Sequence, residues 1–537
     1  MKFLVICFSS LTALASAALA HEGEAQTGQL GSVHFESTCS AAAQPIVDRA
    51  VNALHNFYFG EATRSFNSIL EQDAKCAIAY WGLALSSMGN LLASPPSAKT
   101  LETAREHLNK GLALGAQSPR EQAYLEALRA LLEEGDYRAR SLAYEAAMET
   151  VYKTYPNDSE AAVFYALTLN ITALHSDKTY AKQLRAAEIL NQVSAQQPDH
   201  PGVLHYLIHS LDYPPLAARA LPAAKRYAEV APAAPHALHM PSHTYSMLGE
   251  WEASIKSNLI ALNAVKESAA KGLTAQPALN GSTAHYNDFM IYAHLQLGQD
   301  RAAKRVVDEM AAYQQSHDLS KDMLYTQAAF IAVSARNILE RKAWGEALDL
   351  EVPVTGWNYA LAIARFTRAL GAGHAGQLEM AQKEIDEMAT LRVKAKEAAQ
   401  EYWDGQIEVL RLAASAWLVR AQGKSIEGAR LMRQAADLED ASEKHIAMEN
   451  RLYPMRELLA DILLEAQQPK EALAEYEASL SYSPNRFNAF YGAARAARVA
   501  GDKDKARVYF EKLLALSKPG DNERVAIKEA RRFVAAK

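Results

Sequence analysis

Two histidine pairs carry the clearest chemical signal in this 537-residue chain. His205 and His209 are four residues apart, as are His239 and His243, and the second pair repeats the first at 34 residues (239 − 205, 243 − 209). Residues i and i+4 share one face of a helix, so each pair offers two imidazoles one turn apart. Neutral imidazole binds zinc, copper, iron and nickel. Three or four such nitrogens at about 2.0–2.1 Å suit zinc first, then copper or iron. His236 lies just before the second pair, Asp212 just after the first, and His285 and Asp288 follow. These are reserve ligands, or groups that orient a ligating ring through its other nitrogen. Neither H-x-x-x-H has the glutamate that H-E-x-x-H supplies as general base, so a hydrolase would need Asp212, Asp288 or Glu250 for that work. The competing reading is a ladder of polar histidines, copied by repeat duplication and hydrogen-bonded to Asp212, Tyr213 or backbone.

The 34-residue step recurs elsewhere. Ala460, Ala472 and Tyr476 return as Ala494, Ala506 and Phe510, and Ala50, Ala62 and Phe66 share their internal spacing. Pro198 and Pro232 are also 34 apart, and Gly298, Gly376 and Gly501 each precede an alanine by five. Small residues let paired helices approach, and the aromatic fills the gap between neighbouring units. This predicts an all-α, tetratricopeptide (TPR)-type α-α superhelical solenoid of ten to twelve hairpins between about 43 and 518. An arm or cap over 21–42 precedes an array over 43–350, with a second array over 351–537; 318–352 and 385–450 are less regular.

Within each unit the second, fifth, ninth and twelfth places face the concave surface, where curved solenoids bind partners. His205, His209 and Asp212 take the fifth, ninth and twelfth places of one unit. His236, His239 and His243 take the second, fifth and ninth of the next, and His285 and Asp288 the second and fifth of a later one. At least three of His205, His209, His239, His243 and His285 are therefore expected to bring ring nitrogens to one common point. His55, in a thirteenth place, also turns inward, whereas His294, in an eleventh, packs. Glu457, Asp461, Tyr491 and Arg495 are the expected contacts for a bound peptide or protein segment. Pro241 must kink a helix starting near Pro235 or begin a new one.

Residues 1–20 read as a signal peptide: Lys2, an apolar core, and Ala18-Leu19-Ala20 before the cleavage point. The expected product is exported, periplasmic or secreted, and begins near His21, whose amine and ring could chelate copper. Two cysteines remain, Cys39 and Cys76, and in an exported chain they predict a disulfide. The formal charge of −6 is mild and interspersed, which argues against nucleic acid, and no later stretch is long and apolar enough to span a bilayer. Phosphate-loop, dinucleotide, G-x-S-x-G and C-x-x-C motifs are absent.

The blocks LGSVHFESTCS (30–40), CAIAYWGLAL (76–85), GVLHYLIHSLDYP (202–214), APHALHMPSHTYSMLGEW (234–251) and AHYNDFMIYAHLQLGQ (284–299) resemble a widespread family of uncharacterised bacterial secreted TPR proteins. The likeness covers nearly all of the mature chain, and the His-rich block is its most specific part. It implies the repeat fold and a histidine site built as above, with His285 and Asp288 in a His-x-x-Asp block, and it implies no reaction. HNFYF at 55–59 departs from the family, whose members carry Ser and Trp around that histidine. Two functions follow from the residues: a binding scaffold with a His-rich metal site on its concave face, or a metal-dependent hydrolase or oxidoreductase using that site.

Overall fold

The computed structural model describes residues 28–270, 281–316, 318, 323–521 and 523–536, so the leader and His21 lie outside the described residues. Among these residues there are helices and loops and no strand. Twelve hairpins follow one another, from Gln44–His55 with Phe59–Gln72 to Phe487–Val499 with Lys503–Leu516, and Val525–Ala535 closes the series.

The aromatic of one unit covers a glycine of the next, and this contact identifies the fold as TPR-type. A Cβ on Gly82 would stand 2.1 Å from the Phe66 ring, and one on Gly492 would stand 2.2 Å from the Tyr476 ring. The offset is 16 residues in both units (82 − 66, 492 − 476). Such a unit cannot bury its apolar face alone, and stacking supplies the core. Glycines with positive φ turn the chain between paired helices at Gly249, Gly298, Gly376 and Gly501. Side chains of Ser97, Ser118, Asp136 and Asp158 cap helix starts by accepting backbone N–H bonds.

Packing does not change at residue 350, the expected border between arrays. One apolar cluster runs from Leu30 to Met240, a second from Leu238 to Val333, and a third from Ala328 to Ala506 that also takes in Trp344, Leu348, Leu350 and Val352. The arm packs onto the first repeats, with Phe35 buried against Trp81 and Tyr124. Cys39 and Cys76 are bonded, their Cα atoms 4.8 Å apart. No helix among the described residues is long and apolar enough to cross a membrane.

The two halves of the chain pack on each other, which the repeat pattern does not reveal. The irregular connection over 441–454 lies against the face that was expected to be open. The Glu443 N–H donates to the His175 carbonyl at 2.7 Å, and its carboxylate accepts from Lys178, Tyr180 and Tyr482. Lys444 Nζ reaches Asp212 at 2.7 Å. Arg336 donates to the carbonyls of Asn450, Arg451 and Leu452. Trp251 Nε1–H donates to the Asn485 carbonyl, and Arg524 pairs with Asp300. Part of the expected peptide groove is thus occupied by the chain itself. The expected peptide contacts are also engaged: buried Glu457 by Arg486, Asp461 by Lys342 and Tyr476, and Tyr491 by Glu529.

Two outcomes follow. Gly82→Ala and Gly492→Ala each force a methyl into a ring and lower unfolding stability by about 1–3 kcal/mol, read by denaturant titration. The connection is also acid-sensitive. The rings of His175 and His445, 5.0 Å apart and tilted to each other, face Lys444, Glu443, Tyr402 and Trp403. Burial, above all, pushes His175 down to about 4 and His445 well below 6.5. The unfolded chain therefore takes up protons first. Stability is full above about pH 6.5 and falls as pH drops from there toward 4, by up to roughly 3 kcal/mol for His175 alone. Thermal melts across that range check this, and the slope is shallower in the His175→Gln/His445→Gln variant.

Candidate metal centre

His205 and His209 lie on Pro201–Ser210, with Pro201 starting that helix. His236 and His239 lie on Pro235–His239, and His243 on Pro241–Leu248. Met240 keeps helical angles (φ −52°, ψ −35°) at the junction, so Pro241 breaks one helix into two short segments and leaves the 34-residue phase intact. His285 lies on Gly281–Gln296. All six imidazoles meet, in two groups rather than around one point. In His205, His209 and His236 the potential ligand atoms lie within 4.8 Å of one another, and the same holds for His239, His243 and His285. The groups abut: His209 and His243 have ring centroids 5.6 Å apart, and His236 and His239 5.9 Å.

In each group one pair of ring nitrogens faces closely. His205 Nε2 and His236 Nε2 are 3.1 Å apart, as are His239 Nε2 and His243 Nε2. Hydrogen bonds behind the rings set this orientation. The Nδ1–H of His205 donates to the His55 carbonyl at 2.6 Å, that of His239 to Asn258 Oδ1 at 2.6 Å, and that of His243 to Asp212 Oδ2 at 2.9 Å. With Nδ1 protonated, each Nε2 presents a lone pair to the centre. His209 is buried with neither ring nitrogen hydrogen-bonded.

Burial is the largest influence on every ring here, and it disfavours the cation. It holds His205, His209, His239 and His285 well below 6.5 and His236 down to about 3, and neighbouring imidazoles add to the effect. His243 is lowered too, with Asp212 opposing burial. Six neutral imidazoles are six ready ligands at neutral pH.

The carboxylates fall outside both groups. Asp288, expected as a ligand, pairs with buried Arg336 at 2.8 Å, because that guanidinium has no other side-chain oxygen so close. Asp212 stands behind His243 and is itself held by Lys444. His55 is not among the six. Its Nε2–H donates to Glu160 at 2.8 Å, its Nδ1 faces the Tyr206 hydroxyl, and His200 takes the other Glu160 oxygen at 2.7 Å. That buried triad also meets the geometric condition for a cation, but its contacts are ordinary internal hydrogen bonds, and it fixes the carbonyl that orients His205. His294 packs, with Nδ1 on Gln299.

A cavity of about 440 Å³ adjoins the centre, with His209, His236, His243 and His285 on its wall. Phe57, Phe59, Val265, Tyr286, Met323 and Ile446 make it mostly apolar. Asn258 and Lys444 were not evident as functional residues. Asn258 sits in a different helix from the histidine it orients, and Lys444 lies in a stretch without repeat phase.

No family model and no curated protein matches the sequence. Among solved structures, that of Naa15/Naa10 bound to HypK-THB aligns over 92% of this chain and 75% of that one, at 14% identity and a TM-score of 0.24. So low a score carries no argument. The TPR-type solenoid stands on the helical hairpins and the aromatic-on-glycine contacts.

Asp212→Asn keeps a partner for the His243 Nδ1–H but removes the charge behind it. The expected result is metal binding weakened about 10–100-fold with helicity unchanged, measured by competition with a chromophoric chelator.

Proposed function

We propose that the protein is an exported TPR-type scaffold that binds a first-row transition metal through its buried histidines and presents it to a ligand in the adjoining cavity. The carrying observation is the convergence of six imidazoles, three with Nδ1 hydrogens directed outward and one, His209, with no hydrogen bond at all. A hydrogen-bonded histidine ladder would not leave both nitrogens of a buried ring unbonded, since that costs about 1–3 kcal/mol or more per group. The likeness to bacterial secreted TPR proteins, the leader-like start and the Cys39–Cys76 bond support export to an oxidising compartment. The partner is a segment or small ligand that enters through the cavity, whose wall includes Ile446 and Ala447 of the 441–454 connection.

One observation also favours a metal-dependent enzyme. Four of the six histidines line a cavity large enough for a small substrate, whereas a purely structural site is closed by its own ligands.

Metal analysis of protein purified from an oxidising compartment tests the proposal. Bound transition metal is expected, and His209→Ala and His243→Ala each lower it while circular dichroism stays helical. Metal-free wild type that takes up no zinc, copper or iron on titration contradicts it.

A further inference from the structure

Building on that metal-binding reading, we propose that the centre is dinuclear, with one copper ion on His205, His209 and His236 and a second on His239, His243 and His285.

The distances carry the pairing. Metal–imidazole bonds of about 2.0–2.1 Å that span two nitrogens 3.1 Å apart close an angle of about 100° at the metal. That lies between square-planar and tetrahedral values. The His205–His236 and His239–His243 pairs both meet this condition, so each forms a ready chelate for its own ion. Each chelate has a third imidazole within the same 4.8 Å. The divided hydrogen-bond supports agree with this. The His55 carbonyl serves the first group, and Asn258 and Asp212 serve the second.

Charge selects the metal. No carboxylate belongs to either group, and Asp212, Asp288 and Glu449 beside them are already balanced or neutral. Lys444 and His243 hold Asp212, Arg336 holds Asp288, and burial raises Glu449 to about 8, which keeps it protonated at neutral pH. Two divalent ions would place four unbalanced positive charges in a buried site, and isolated buried charge is strongly disfavoured. Two copper(I) ions halve that charge, and three neutral imidazoles satisfy copper(I) without an anion. Imidazole is among copper's ordinary ligands. Zinc, first by ligand type alone, would fill its fourth position from the cavity, but it brings the larger, unbalanced charge.

The open side of both sites meets the cavity at His209, His236, His243 and His285. The ligand class is therefore a small molecule or anion that bridges two ions from that side.

The test is anaerobic titration of the full chain with copper(I) against a chromophoric chelator, with metal analysis afterwards. Two equivalents per chain are expected. His205→Gln and His239→Gln should each retain one, and the exposed His34→Gln both. Loaded instead with copper(II) and treated with azide as a bridging probe, the wild type should give under half the paramagnetic resonance intensity of two isolated ions. One equivalent in the wild type, abolished by either variant, overturns the dinuclear assignment and leaves the metal-binding reading intact. No uptake of any metal overturns both. Two equivalents of zinc with copper(I) refused overturns the choice of copper, and a full two-spin signal with azide overturns the bridged ligand. The wild-type stoichiometry decides the matter even if a variant fails to fold.

Discussion

The structure depends on keeping six imidazoles together, neutral and aimed inward. Buried histidines usually settle by bonding both nitrogens, as His55 does between Glu160 and Tyr206. In the centre the Nδ1 hydrogens of His205, His239 and His243 are settled by a carbonyl, an amide and a carboxylate, while His209 has no hydrogen bond. The facing Nε2 lone pairs of His239 and His243, 3.1 Å apart, repel each other, which a folded chain tolerates only if surrounding packing holds the rings in place or a cation lies between them. Both supports are built around the site. Phe57 packs edge-on to His205 at 4.4 Å, and Tyr286 stacks on His239 at 4.3 Å.

The closure of the solenoid serves the same end. An open superhelix would leave the second, fifth and ninth places of its inner face in water, where protonation of the rings would compete with metal. Folding the 441–454 connection against that face buries the rings and lowers their proton affinity. It also brings Lys444 to Asp212 across 232 residues of sequence. The His55–Glu160–His200 triad does comparable work from the other side, fixing the backbone that holds His205. The cysteine pair ties the arm to the first repeats, where a terminal hairpin has a neighbour on one side only.

Much of this was legible because it is periodic. The 34-residue step carried the hairpins, their glycine turns and the shared face of the two histidine pairs, and Pro241 announced its own break. The site was less legible wherever it depends on contacts without a period. Phase alone carried the expectation that at least three of His205, His209, His239, His243 and His285 converge, which His239, His243 and His285 meet. Phase does not say that His236 reaches back to His205 while His239 turns to His243 and His285. Asp288 was read from its place in a repeat, yet Arg336, 48 residues on, takes its carboxylate. Glu457 and Asp461 looked like groove contacts because a position number does not reveal what packs above it. Asn258 and Lys444 carry no spacing signal.

Crystals grown with metal and measured at the absorption edges of copper and zinc test the central claim most directly. The account predicts anomalous density within about 2.0–2.1 Å of Nε2 of His205, His236, His239 and His243, in the space bounded by the six rings. Density at the His55–Glu160–His200 triad alone, or none near any of the six imidazoles in metal-saturated crystals, would contradict it.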